Sequence, residues 1–163
     1  MFTRKRYRDI IVESLQFCQK EKGMTVYGYV IMSNHLHMIL QSDKNDLSGL
    51  IRDFKMHTSK KILSAIKTEP ESRREWLLPL LHKYCEHLKR EQQHKLWQDG
   101  NHAKVIYTNE FFYEKLNYIH QNPVQDMLVQ EPQDYLFSSA RNYAELPSLL
   151  DIILETTQLK TYV

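Results

Sequence analysis

The amino-acid sequence predicts an α+β fold, an antiparallel sheet with helices packed on it. Three observations lead there. Residues 24–41 hold two β-branched and aromatic runs separated only by Ser33-Asn34, the pattern of a hairpin. Apolar residues recur at three- and four-residue spacing over 7–22, from Asp46 or Ser48 to about Ile66, and from Asn109 onward, the pattern of amphipathic helices. The resulting order, α-β-β-α-(α)-β-α, suits a sheet with helices gathered on one face.

The first helix is expected over 7–22, where Ile10, Ile11, Ser14, Leu15, Phe17 and Cys18 share a face and Gly23 supplies the stop. A buried strand follows over 24–32. After the turn, a second strand is expected over 35–41. Leu50, Ile51, Phe54, Thr58, Ile62 and Leu63 form the inner face of the next helix. A polar break at Lys67–Ser72 precedes a very charged helical stretch over 73–95, interrupted or started near Pro79. Ala103–Tyr107 reads as a short strand. Thr108 or Asn109 then caps a helix that ends before Pro123, and a short helix is expected at Ser138–Tyr143. A ferredoxin-like sheet calls for one more strand ahead of the first helix, and that first strand is missing from this reading. The whole of 1–163 is expected to be one domain with a helical insertion at about 66–96.

Bulk composition narrows the function classes. With 163 residues, 42% hydrophobic and 26% charged, the chain can bury a core and is not of disordered type. No apolar run approaches the roughly 20 residues of a membrane-spanning helix, so no membrane partner is expected. The basic start, Met1 to Asp9, has no apolar core and is not a secretory signal. Two cysteines, Cys18 and Cys85, suit a reducing cytoplasm. The formal charge is only +2, but Arg4, Lys5, Arg6 and Arg8 cluster, as do Lys55, Lys60, Lys61 and Lys67. Such local basic surface binds phosphate backbone; equally, it is what a solvated helix face looks like.

Two constellations can carry chemistry. His35 and His37 alternate along the second strand, so both imidazoles point to one side, as half of a metal site or as a hydrogen-bonded pair at a sheet edge. Tyr118 and Asn122 stand four residues apart on a helix and share its face, as nucleophile and metal ligand or as parts of a capped helix end.

Together these residues resemble a known family. His35-Leu36-His37 matches the histidine–hydrophobic–histidine motif of HUH endonucleases. Tyr118-Ile119-His120-Gln121-Asn122-Pro123-Val124 resembles the tyrosine helix of single-tyrosine transposases, notably the REP-associated tyrosine transposases and their insertion-sequence relatives. Tyr29 to Asn34, Leu47 to Lys61, Trp97-Gln98, Pro132 to Tyr135 and Ser138 to Tyr143 extend the likeness over roughly residues 2–145. The resemblance implies a divalent cation, Mg²⁺ or Mn²⁺, on His35, His37 and Asn122. It implies attack by Tyr118 on single-stranded, hairpin-bearing DNA through a 5′-phosphotyrosine, and a homodimer. Arg52, Lys55, Lys60 and Lys61 are the chosen backbone contacts, and His120 is expected to support the site structurally, since it faces away from Tyr118. Tyr27, Tyr29 and Tyr107 could stack on bases, though core packing suits each of them. Besides structural zinc through Cys85, His82 and His87, whose spacing fits no zinc finger, two other readings compete. One is a DNA-binding protein of the same fold that no longer cuts. The other is a histidine-triad-like nucleotide hydrolase, against which Ile39 stands where a third histidine belongs.

Overall fold

A computed structural model describes residues 2–85 and 94–155. The chain forms two compact units, Met1–Leu47 with Ile106–Val163, and Ser48–Val105. The expected insertion lies within the second unit, which begins earlier, at Ser48; residues 86–93 of that stretch are outside the described residues.

In the first unit, α1 (Lys5–Lys22) buries Tyr7, Ile10, Ile11, Leu15 and Cys18 and ends on Gly23. Gly23 takes φ 70°, a left-handed position that a side chain resists, and its N–H bonds to the Cys18 carbonyl. The chain then turns into β1 (Met24–Ile31), which pairs antiparallel with β2 (Leu36–Ser42). Val30 stands opposite His37, and a bulge interrupts the register between Val26 and Gly28. His35 lies just outside β2, its carbonyl accepting the Met32 N–H across the turn at 2.9 Å.

β1 is bonded along both edges. Beyond β2, its other edge carries residues 137–139: the Ile31 N–H donates to the Phe137 carbonyl and the Ser139 N–H to the Tyr29 carbonyl, each at 2.9 Å. Further along, the Ile153 N–H donates to the Val26 carbonyl. The sheet of described residues therefore has two strands and an isolated bridge at Val30 and Ser138, and the short strand expected over 103–107 does not form. Val105 is 65% and Tyr107 is 85% exposed, so burial offers that segment nothing for its backbone to be ordered into a ladder.

Helix α4 (Asn109–Gln125) is capped by Thr108, whose Oγ1 accepts the Phe111 N–H. It runs past Pro123 rather than stopping before it. Proline forfeits only its own N–H bond, and the last turn is closed around it by the Asp126 N–H on the Asn122 carbonyl and the Leu128 N–H on the Pro123 carbonyl. α4 packs on β1 at Gly28, where an added Cβ would lie 2.7 Å from Leu116 Cδ1. Gly28→Ala is therefore expected to displace the Leu116 side chain and lower unfolding free energy by about 1–3 kcal/mol, read from urea denaturation. A 3-10 turn (Pro132–Asp134) and the single-turn helix α5 (Ala140–Tyr143) complete the unit. Tyr135 donates its hydroxyl to the Ile31 carbonyl and accepts from Arg8, whose guanidinium lies 4.4 Å from the centre of the Phe137 ring.

In the second unit, α2 (Leu47–Thr68) buries Leu50, Phe54, Thr58, Ile62 and Ile66, and α3 (Arg74–Lys83) buries Leu77 and Leu81. Arg74 donates to the Ile66 and Glu69 carbonyls, which the end of α2 leaves without helical partners. Trp97 donates its indole N–H to Thr58 Oγ1 at 3.0 Å and packs against Phe54.

Candidate functional site

The two motifs that the sequence keeps 80 residues apart meet in the first unit. His35 Nε2 lies 3.1 Å from Asn122 Oδ1, a contact spanning 87 positions of sequence. The His35 and His37 ring centres are 4.7 Å apart, and the His37 and Tyr118 ring centres 5.4 Å. Tyr118 is 47% exposed and Asn122 only 7%, so the phenol is open to a substrate while the carboxamide is enclosed.

Each orientation has a local cause. Asn122 Nδ2 donates to the Tyr118 carbonyl at 2.7 Å, which turns Oδ1 outward to the histidines. His35 Nδ1 lies 2.7 Å from Asn34 Oδ1, a neighbour that sequence reasoning left as a turn residue. A neutral imidazole carries one N–H. In the tautomer that places this N–H toward Asn34, Nε2 presents its lone pair to the lone pairs of Asn122 Oδ1. Two acceptors facing each other at this distance are the donor set that a cation fills, so the residues present fit a divalent ion. Burial, and next the neighbouring His35, hold His37 below the usual histidine range, which keeps its ring neutral and able to bind metal at neutral pH.

His120 stands on the other side of α4. Its Nε2 is 2.8 Å from Ser139 Oγ, and its ring meets Tyr143 edge-on at 5.3 Å. Burial lowers its pKa from 6.5 to about 4. The unfolded chain therefore takes up this proton first, and folding stability falls as pH drops from 6.5 towards 4. Between about pH 7 and about pH 4.5 the loss is about 2 kcal/mol, and urea midpoints should show it shrinking in His120→Gln.

The expected DNA contacts lie in the second unit. Arg52, Lys60 and Lys61 are exposed, with Arg52 3.4 Å from Asp53. Lys55 is otherwise engaged: its Nζ donates to the Gln98 carbonyl at 3.2 Å and the Gly100 carbonyl at 2.6 Å, and burial lowers its pKa. Of the tyrosines, Tyr29 is core, Tyr27 donates to Gln41 and packs against Phe112, and only Tyr107 stands free of the core at 85% exposure. Sequence reasoning missed the parts played by Asn34 and Ser139, and no spacing rule would have shown either. Among the described residues, no helix is long and apolar enough to cross a membrane.

Comparison with known proteins gives a family likeness over part of the chain and a likeness of fold. Residues 1–77 match the family described as "Transposase IS200 like". The chain is similar in fold to a REP-associated tyrosine transposase solved bound to a REP hairpin, with TM-score 0.56 and 16% identity, covering 98% of this chain and 79% of that one. No curated protein matches the chain.

Proposed function

We infer that this chain, which is similar over residues 1–77 to the IS200-like transposase family and in fold to a REP-associated tyrosine transposase, is a single-tyrosine transposase, a metal-dependent strand transferase acting on single-stranded DNA. The observation that carries the reading is the convergence of His35 and Asn122 at 3.1 Å with the Tyr118 ring beside His37. A half-exposed phenol placed next to a two-imidazole, one-carboxamide donor set has little use in a binding module.

His35, His37 and Asn122 would hold the ion, and when bound it supplies charge to a scissile phosphate and aligns it. Tyr118 Oη attacks the phosphorus, the bond to the 3′ oxygen breaks, and a 5′-phosphotyrosine and a free 3′-hydroxyl result. The phenol's proton leaves to solvent, and the departing 3′ oxygen takes one up. Rejoining reverses these steps with a new 3′-hydroxyl as nucleophile, so no nucleotide cofactor is needed. Hairpin-bearing DNA is the favoured substrate class, because the structural neighbour was solved with a hairpin.

The test is incubation of the chain with single-stranded hairpin DNA and Mn²⁺. A covalent protein–DNA adduct is expected; DNA binding with no adduct on any hairpin tried would instead favour a binding protein of this fold. Lys60 and Lys61 are assigned to the DNA backbone. Replacing both by alanine should flatten the salt dependence of binding by about 1.4 in log–log slope, and an unchanged slope removes them from the interface.

A further inference from the structure

We propose that His120, acting through Ser139, is a positioning residue that sets the distance between the tyrosine helix and the histidine hairpin. The proposal rests on the reading above only for what that distance serves.

Successive helical residues turn by about 100°, so His120 stands about 200° from both Tyr118 and Asn122. α4 therefore reaches in opposite directions at one level. Tyr118 and Asn122 reach His37 and His35, which belong to β2 and its entry turn. His120 reaches Ser139, in the segment on the other edge of β1. The helix is stapled across β1, with the candidate site on one side and the staple on the other.

The hydrogen bonds at Ser139 close without remainder. Its Oγ accepts the Tyr29 N–H at 2.8 Å and lies 3.2 Å from the Tyr29 carbonyl, to which its own hydrogen goes. The second lone pair is left for His120, whose Nε2–H donates at 2.8 Å. Ser139 is fully buried, so this geometry is shielded from water. The strut ends on the backbone of Tyr29, and the next residue, Val30, is the register partner of His37. A shift of α4 at His120 therefore reaches the tyrosine–histidine spacing through one rigid strand pair. Gly28 and Leu116 set how closely the helix approaches β1, but apolar contact permits sliding, and the directional bond at His120 does not.

The variants are His120→Leu, which fills the volume without the N–H, and His120→Gln, whose amide can replace it. His120→Leu leaves no polar group of Ser139 stranded, since Oγ keeps both Tyr29 bonds. The first readout is the nuclear Overhauser cross-peak between the His37 and Tyr118 rings in the metal-free chain, with thermal unfolding as the check on folding. The cross-peak is expected in wild type and His120→Gln and lost in folded His120→Leu. Ser139→Ala is read in the same way and is expected to lose it too. The second readout is Mn²⁺ binding, expected to weaken roughly 10- to 100-fold in His120→Leu and to recover in His120→Gln. A cross-peak of wild-type strength in both His120→Leu and Ser139→Ala overturns the proposal. If the cross-peaks follow expectation while wild type binds no Mn²⁺, the strut stands and the metal-site reading fails.

Discussion

Tyr118→Phe is expected to bind hairpin DNA with wild-type affinity and to form no covalent adduct. The ring remains against His37, where its centre lies 5.4 Å away, so the substitution deletes one oxygen and leaves the packing in place. The side chain is 47% exposed, so no buried hydrogen-bonding partner is stranded by the change. The loss should fall on the chemical step alone. Removal of a covalent nucleophile costs at least about 10³-fold in rate, and here the intermediate itself cannot form. Denaturing gel electrophoresis of protein mixed with end-labelled DNA reads the result directly. An adduct of undiminished yield in Tyr118→Phe would transfer the role to another nucleophile and end the assignment.

Metal removal is the second large effect. EDTA should stop adduct formation while DNA binding persists, and Mn²⁺ in excess should restore it. Asn122→Ala is expected to weaken Mn²⁺ binding by at least about tenfold and cleavage by about 100-fold, because it removes the acceptor that faces His35. The variant also deletes the Nδ2 bond to the Tyr118 carbonyl, so thermal unfolding must be followed alongside. Asn122→Asp separates the two contributions, since it retains an oxygen ligand while giving up that donor. Mn²⁺ binding that is unchanged in Asn122→Ala would place the ion elsewhere or nowhere.

The helices were legible because apolar periodicity is a local property. α1, α2 and α4 appear within a few residues of where the spacing of Ile10, Phe54 and Leu116 sets them. The Ser33-Asn34 hairpin was legible for the same reason. Two local rules misled. Pro123 reads as a helix stop, yet a proline in the final turn costs one bond that the turn can forgo. Ala103–Tyr107 has strand composition, but composition supplies no edge to pair with. The basic residues show the limit for surfaces. Lys55 stands in a lysine-rich stretch like Lys60 and Lys61, and its contacts with Gln98 and Gly100 are visible only in the structure.

The sequence by itself determined which side chains make up the candidate site. It named two imidazoles two residues apart and a phenol and a carboxamide one helical turn apart, spacings set by the regular geometry of strand and helix. It could not determine that the two pairs meet, because their contact spans 87 positions and depends on how α4 lies across β1. The tertiary structure alone decided that, through a glycine that admits the helix, a segment at 137–139 that takes the far edge of β1, and a histidine–serine bond joining them. Local spacing follows from backbone periodicity, whereas long-range placement follows from packing and from hydrogen bonds whose partners no short window of sequence contains.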